Sequence, residues 1–420
     1  MATDGTITDA GVAQLRTRIG KPQLYPAPPH YRRPGEDAFR HVARSYGDDN
    51  PLWCEPGYAA GTRWQGPIAP PPLVGGDSLI GEEDLTDAEA GAARQPELRG
   101  DPLRGVHAFY AASEREWWAP LGPGHRVFRR TALVGVVDRP SEFGGRGVQE
   151  WTAQAFRTGE GTLLGAQYRM MYRTERQQAR ERGKYRDVAV AAWDAEGLAE
   201  IDKQYAAEAP RGAVPRWWED VQPGDQVGPL VKGPLTVTDI VCWHVGMGMG
   251  MYDVAPLRLA YRNRQRIPRF YHADELGVPD ALQRVHWDRA FARKSGNPAT
   301  FDYGRMRETW LIHACTDWMG DDAWLWRLRV EFRKFNYVGD VQWVEGTVAR
   351  RYLAEGGRPA VDLDLRTRNQ RGEITSPATA TVLLPSREHG DVRLPDPPGR
   401  ADTLDEAFAA TATRFAAEPA

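Results

Sequence analysis

The sequence predicts an α+β fold built from two similar halves, each with a helix packed against an antiparallel sheet. Three short motifs recur in the same order in both halves, which indicates a duplicated unit. Long stretches such as "RVEFRKFNYVGDVQWVEGTVARRYL" alternate apolar and polar residues with the period of a strand that has one buried face. Between the halves, a charge-rich stretch free of proline until Pro210 predicts one or two connecting helices.

The repeat can be followed motif by motif. "WCEPGYAAGT" from Trp53 matches "HWDRAFARKS" from His286, an offset of 286 − 53 = 233 positions. Further on, "GHRVFRRTALVGVV" matches "GDVQWVEGTVARRYL", each a strand that starts at a glycine. Finally "FRTGEGTLLGAQYRM" matches "LRTRNQRGEITSPATATVLL", each a strand, a glycine-containing turn and a second strand. Each half is therefore expected to begin with a short helix and continue into several strands.

These landmarks predict the domain organisation. Residues 1–30 form an N-terminal arm, 31–175 the first unit, 176–215 a helical linker and 216–388 the second unit. The remaining 389–420 are a peripheral tail, in which "ADTLDEAFAATATRFAAEPA" predicts a helix.

Composition excludes several classes of protein. The 420 residues are 41% hydrophobic and 26% charged, which is typical of a globular chain of two or three domains. Fifty-four basic against 57 acidic residues give a net charge of −3, so we expect no nucleic-acid partner. The sequence shows neither a signal-peptide profile nor an apolar run of about 20 residues, so we expect a cytoplasmic protein without a membrane segment. The three cysteines include no C-x-x-C pair, so we expect reduced thiols and no metal site.

The stretch "SYGDDNPLWCEPGYA" resembles the signature of the MaoC-like acyl dehydratases, the (R)-specific enoyl-thioester hydratases, which runs G-D-x-N-P-aliphatic-H-x-acid-P-x-x-A. The second half contains stretches similar to successive landmarks of the same family, among them "VHWDRAFARKSG" and "FNYVGDVQWVEGTV". The resemblance covers most of residues 30–385. It implies a double hotdog: two tandem hotdog units, each an antiparallel sheet wrapped around a central helix, associated as an internal pseudo-dimer. The first half is most similar to the dehydratase of fatty-acid-synthase type.

The resemblance also implies a chemistry. In this family the Asp of G-D and the His five positions later hold a water that adds to, or leaves from, an acyl thioester. Asp48 occupies the Asp position, but Trp53 occupies the His position, and indole cannot act as a base. In the second half His286 occupies the His position, whereas Ala281 stands five residues before it and Asp280 is one residue early. Neither half therefore carries the full pair by itself.

The expected catalytic residues are His286, Asp48 and Asp280. Asp48 is either a surviving catalytic acid or the cap of the Asn50-Pro51 turn. A site composed of groups from both halves is a further alternative, and Asp253, in a long insertion before His286, is another carboxylate that could reach the imidazole. The residues expected to bind substrate are Asn50, Trp53, Asp288, Asp302, Tyr303, Gly304 and Arg305.

The expected function is that of a hydro-lyase acting on an acyl thioester of coenzyme A or of an acyl carrier protein, without metal or redox cofactor. The insertion favours a non-standard acyl group, from sterol or lipid metabolism or from specialised biosynthesis. The loss of one member of each Asp-His pair leaves open a hotdog cyclase, a thioesterase, or a non-catalytic partner that binds an acyl thioester. A homodimer is expected because hotdog proteins commonly pair further.

Overall fold

Ten strands form one continuous sheet that runs through both halves of the chain. The structure is a computed structural model, and it describes residues 5–24, 28–75, 80–141, 145–175, 188–248 and 255–417. The strands of the sheet are β1 (Glu82–Glu83), β2 (His107–Trp117), β3 (Val127–Ser141), β4 (Gly145–Thr158), β5 (Leu163–Thr174), β6 (Gln226–Lys232), β9 (Trp324–Glu331), β10 (Gln342–Ala354), β11 (Arg358–Asn369) and β12 (Ile374–Leu383). Strands β7 (Tyr271–Ala273) and β8 (Pro279–Ala281) form a separate hairpin.

The described helices are α1 (Asp9–Arg16), α2 (Glu36–Ser45), α3 (Pro51–Cys54), α4 (Pro56–Ala59), α5 (Asp87–Ala93), α6 (Ala195–Ala207), α7 (Val237–Gly246), α8 (Leu257–Arg266), α9 (Arg289–Lys294), α10 (Gly304–Met319) and α11 (Leu404–Ala417). None of them combines the length and the apolar character needed to span a bilayer.

The strand order shows the duplication directly. It reads β1-β3-β4-β5-β2-β9-β12-β11-β10-β6, so that β3-β4-β5-β2 is the reverse of β9-β12-β11-β10. The halves meet where β2 pairs antiparallel with β9, for example Ala112 opposite Glu331. The repeated sequence landmarks lie on β3 and β10, and on the β4–β5 and β11–β12 hairpins. The predicted α+β fold with two tandem, sheet-based units is confirmed.

Helix α10 is the central helix of the C-terminal half. It contacts β6 and each of the strands β9 to β12, and it also touches β2 of the other half. Every residue from Arg305 to Met319 is buried except Asp317. A helix buried on all sides must pair its polar groups internally, and these pairings determine where the charged side chains of the protein meet. The helix ends at Gly320, whose φ of +78° suits a glycine.

The N-terminal half departs from this pattern at its own central helix. The offset of 233 places Pro71 opposite Gly304, because 304 − 233 = 71. At this position the chain forms only a 3-10 helix, Pro71–Leu73, and β1 already begins at Glu82. Prolines at positions 70, 71 and 72 supply no backbone N–H, so this half cannot present the amide donors that begin α10.

A buried ion pair joins the two halves. Arg115 on β2 donates from Nε and Nη2 to the two carboxylate oxygens of Glu308 on α10, at 2.9 and 2.8 Å, and both side chains are 1% exposed. The same guanidinium donates to the carbonyl oxygens of Val74 and Gly75. The proximity of Arg115 lowers the pKa of Glu308 despite the cost of burial. The pair therefore fixes the central helix of one half against a strand of the other.

Candidate functional site

His286 is positioned by a short 3-10 helix, Leu282–His286, that packs against the chain leading into α10. Its Nδ1 lies 2.8 Å from the carbonyl oxygen of Phe301. Because a carbonyl only accepts, Nδ1 carries a proton, and in the neutral imidazole Nε2 presents a lone pair. Nε2 is therefore the nitrogen of His286 that can accept a proton.

The surroundings of His286 keep it neutral. Its ring lies 3.8 Å, centroid to centroid, from the ring of Tyr303 and 4.8 Å from that of Phe301. Burial lowers the pKa of His286 to about 4, and the nearby His244 contributes in the same direction. Among the residues that the structure describes, no carboxylate forms a hydrogen bond or an ion pair with this imidazole.

Tyr303 connects His286 to a second histidine. Its ring stacks on Trp243 at 5.3 Å, and its hydroxyl shares a hydrogen bond of 3.0 Å with Nδ1 of His244. Burial raises the pKa of Tyr303 and lowers that of His244, so both are neutral at pH 7. The sequence analysis gave His244 no functional role, and its place beside the predicted Tyr303 is visible only in three dimensions.

The N-terminus of α10 begins beside this aromatic cluster. Tyr303 is its N-cap residue, and its side chain makes no capping hydrogen bond. The amide of Met306 donates to the carbonyl oxygen of Tyr303, whereas the amides of Gly304 and Arg305 belong to the first turn, which lacks intrahelical acceptors and carries the positive end of the helix dipole. Such an end can stabilise negative charge that develops on a carbonyl oxygen. A neutral base and a set of amide donors thus lie at the same end of α10.

Two of the residues predicted to bind substrate are held inside the protein. Asp302 is 2% exposed and accepts from Nε of Arg307 at 3.0 Å and from the amide of Asn336 at 3.2 Å. Burial raises the pKa of Asp302 to about 6 even though Arg307 opposes the shift. Arg305 is also buried and lies against Glu308 and the carbonyl oxygen of Gly75. Through these buried contacts, the side chains of Asp302 and Arg305 hold α10 in place.

Asp280 and Asp288 flank the His286 segment without contacting the imidazole. Asp280 lies on β8, accepts from the amide of Ala281 at 2.6 Å and approaches Arg284 at 4.0 Å. Asp288 is the N-cap of α9 and accepts from the amide of Phe291 at 2.9 Å. The carboxylate of Asp288 is therefore engaged in capping a helix, as the dipole favours.

The turn around Asp48 keeps the backbone of the motif. Asp48 is 1% exposed and accepts from the amide of Asn50, the hydroxyl of Tyr46 and the indole N–H of Trp53, at 2.9, 2.9 and 3.0 Å. Asn50 caps α3 by accepting from the amide of Leu52 at 3.0 Å. The ring of Trp53 also lines an apolar cavity together with three further tryptophans, Trp64, Trp117 and Trp324. The indole N–H of Trp53 thus donates to the Asp48 carboxylate, which an imidazole at this position would otherwise contact.

A buried polar cluster faces this turn from the other half. Nε2 of His313, on α10, lies 3.7 Å from Asp48 and 3.2 Å from Asp317, while its Nδ1 lies 2.9 Å from Nζ of Lys232. Burial raises the pKa of Asp317 to about 7 and lowers that of Lys232. Asp48, His313 and Asp317 offer ligand atoms within 4.8 Å of one another, but the cluster already contains the Lys232 amine as a cationic partner. The i, i+4 spacing of His313 and Asp317 was the only signal of this cluster in the sequence.

Comparison with known structures identifies the fold. A MaoC-like dehydratase superposes with a TM-score of 0.57 at 15% identity, over 88% of this chain and 99% of its own. A MaoC domain protein dehydratase from Chloroflexus aurantiacus J-10-fl superposes with a TM-score of 0.53 at 12% identity, over 88% and 96% of the two chains. The protein therefore has the double-hotdog fold of MaoC-like dehydratases. Neither a protein-family model nor a curated protein matches the sequence.

Proposed function

We propose that the protein is a hydro-lyase that adds water to, or removes it from, an acyl thioester at His286. The observation that carries the proposal is the setting of His286: Nδ1 is fixed by the Phe301 carbonyl, so Nε2 keeps its lone pair, and the imidazole packs on Tyr303, the N-cap residue of α10. The likeness of the fold to MaoC-like dehydratases supports the same class of reaction.

In the hydration direction, Nε2 of His286 removes a proton from water as the water oxygen forms a bond to C3 of a 2-enoyl thioester. The electron pair of the double bond moves towards the thioester carbonyl, whose oxygen is stabilised by the first amide groups of α10. C2 then receives this proton from the imidazolium of His286, so that H and OH have been added across the double bond and the imidazole is neutral again. Dehydration is the same sequence in reverse.

A carboxylate that orients the water would complete this site, and we assign that role to Asp253. The spacing from Asp253 to Pro256 equals the spacing from Asp48 to Pro51. Asp253 lies outside the described residues. A carboxylate beside His286 would raise the pKa of the imidazole above the value of about 4 set by burial, and would so strengthen it as a base.

A second candidate function follows from the lack of a described carboxylate at His286. A cyclase that adds a hydroxyl of the acyl chain to its own enoyl group needs one base and no water-holding pair. For either reaction, the rings of Phe301 and Tyr303 beside His286, and that of Trp243 stacked on Tyr303, favour a bulky or ring-containing acyl group.

The experiment is a panel of 2-enoyl and 3-hydroxyacyl coenzyme A thioesters, with straight, branched and ring-containing chains, in which loss of the enoyl absorbance is followed. His286→Ala should abolish turnover, and Asp253→Asn should reduce it at least about tenfold, because general base catalysis is worth about 10²–10⁴ in rate. His41→Ala, which removes an exposed imidazole of the other half, is the matched control and should retain activity. Turnover by His286→Ala at the wild-type rate would refute the proposal, while cyclisation of hydroxy-enoyl substrates without any hydration would favour the cyclase.

A further inference from the structure

The insertion that precedes His286 carries a strongly basic helix. Residues 255–272 contain five arginines, at positions 258, 262, 264, 266 and 269, and no Asp or Glu, in a chain whose net charge is −3. Arg258, Arg262 and Arg266 follow one another at intervals of four and therefore share one face of α8. All three are exposed. The surface formed by residues 255–281, whose last nine residues include Asp274, Glu275 and Asp280, is called the basic arm below.

The basic arm also exposes apolar side chains. Of the fifteen large hydrophobic residues that are exposed in the described part of the chain, five lie in these 27 positions: Leu257, Leu259, Tyr261, Leu276 and Val278. Leu257 is 89% exposed and Leu276 is 81% exposed. Clusters of exposed apolar residues with charged neighbours are typical of surfaces that bind another protein.

The arm is attached directly to the candidate active site. Helix α8 leads through a short 3-10 helix into the β7–β8 hairpin, and β8 leads into the 3-10 helix that ends at His286. Arg284, in that last helix, donates to the carbonyl oxygen of Ala273 on β7 at 3.1 Å, and the rings of His272 and Phe291 lie 6.1 Å apart. A partner bound to the arm would therefore sit next to the segment that carries His286.

We propose that the basic arm docks an acidic carrier protein that delivers the acyl thioester to His286; this inference rests on the proposed function. The arginine row from 258 to 266 extends over about 12 Å of helix, which is longer than one phosphate group requires and suits a row of acidic side chains on a protein surface. A second copy of this chain fits poorly, because a two-fold contact centred on the arginine row would place the same arginines against each other.

A bilayer surface also fits less well than an acidic protein. Six of the ten residues of α8 are arginine, asparagine or glutamine, so the helix has too narrow an apolar face to insert among lipids. Charge complementarity together with scattered exposed leucines favours a protein partner whose surface is acidic and contains apolar contacts.

The test compares one enoyl group on three carriers: a phosphopantetheinylated acidic carrier protein, coenzyme A and pantetheine. The variant is Arg258→Glu/Arg262→Glu, and the matched control is Arg94→Glu/Arg104→Glu, which reverses two exposed arginines of the N-terminal half. Binding of the carrier protein to each enzyme is measured by calorimetry alongside the kinetics. We expect the variant to weaken carrier-protein binding, and to raise KM for the carrier-bound substrate, by at least about tenfold, with KM for pantetheine and coenzyme A thioesters unchanged.

The outcomes distinguish the docking proposal from the proposed hydro-lyase activity. If KM rises equally for coenzyme A and carrier protein, the arginines bind the nucleotide phosphates and the docking proposal is wrong. Equal carrier binding by wild type, variant and control would also overturn it, as would binding of the arm to anionic vesicles in place of the carrier. If the wild type binds the carrier through the arm but turns over none of the three thioesters, docking stands and the proposed hydro-lyase activity fails.

Discussion

Replacing Glu308 with glutamine should destabilise the whole protein, because it removes the only charge that compensates Arg115 across the junction of the halves among the described residues. The glutamine can accept one hydrogen bond from the guanidinium, but its amide group would face a second N–H donor. Arg305, 3.9 Å from the same carboxylate, would lose its counter-charge as well. Breaking a buried ion pair from one side costs about 3–5 kcal/mol.

This cost can be converted into a melting temperature. At about 2.1 cal/mol/K per residue, the 420 residues have an unfolding entropy of about 0.9 kcal/mol/K, so a loss of 3–5 kcal/mol lowers Tm by about 3–6 °C. The assay is thermal unfolding followed by circular dichroism at pH 7. The control is Glu331→Gln, which breaks an exposed pair with Arg333 and should shift Tm by about 1 °C or less. Equal shifts for the two variants would refute the view that the Arg115–Glu308 pair holds the halves together.

Two further predictions concern the polar groups around α10. Tyr303→Phe keeps the ring that stacks on His286 and Trp243 but removes the hydrogen bond to His244. We therefore expect kcat to fall less than about tenfold and Tm to fall by about 1 °C. A loss of activity as large as that of His286→Ala would make the hydroxyl part of the chemistry. Burial raises the pKa of Asp317 to about 7 in the folded protein, from its usual 3.8. The folded protein therefore binds more protons than the unfolded chain between about pH 4 and pH 7. As pH rises through that window, the free energy of unfolding falls by up to about 1.4 kcal/mol per pH unit. Asp317→Asn should therefore stabilise the protein more at pH 8 than at pH 5, and equal Tm shifts at the two pH values would contradict the assignment.

The duplicated sheet could be predicted from sequence because strand periodicity and turns are local properties. The motif pairs that start at Gly124 and Gly339, and at Phe156 and Leu365, fall on strands that occupy equivalent places in the mirrored order of the sheet. The shortened helix of the N-terminal half had a local signal too, since three consecutive prolines stand where the amide donors of a helix should begin. The expectation of a helix against the sheet in each half came from the element pattern as well as from the family resemblance.

The contacts of the candidate site were less accessible to sequence reasoning. The motif placed His286 at the histidine position of the family, but its tautomer depends on the Phe301 carbonyl, fifteen residues away. The approach of Asp48 to His313 and Lys232 depends on how the two halves pack, and no spacing within either motif encodes it. The role of Asp48 as an acceptor for Trp53 likewise became visible only when the turn and the indole were seen together.

The question of which half carries the chemistry can be settled by one comparison of rates. The enoyl thioester that the wild type consumes fastest is given to His286→Ala and to Asp48→Asn, with circular dichroism used to express each rate per folded molecule. We predict that His286→Ala loses at least about a hundredfold in kcat, because a general base is removed, while Asp48→Asn stays within about threefold, because Asp48 holds a turn. A large loss in Asp48→Asn with wild-type turnover in His286→Ala would place the chemistry in the N-terminal half and contradict our assignment.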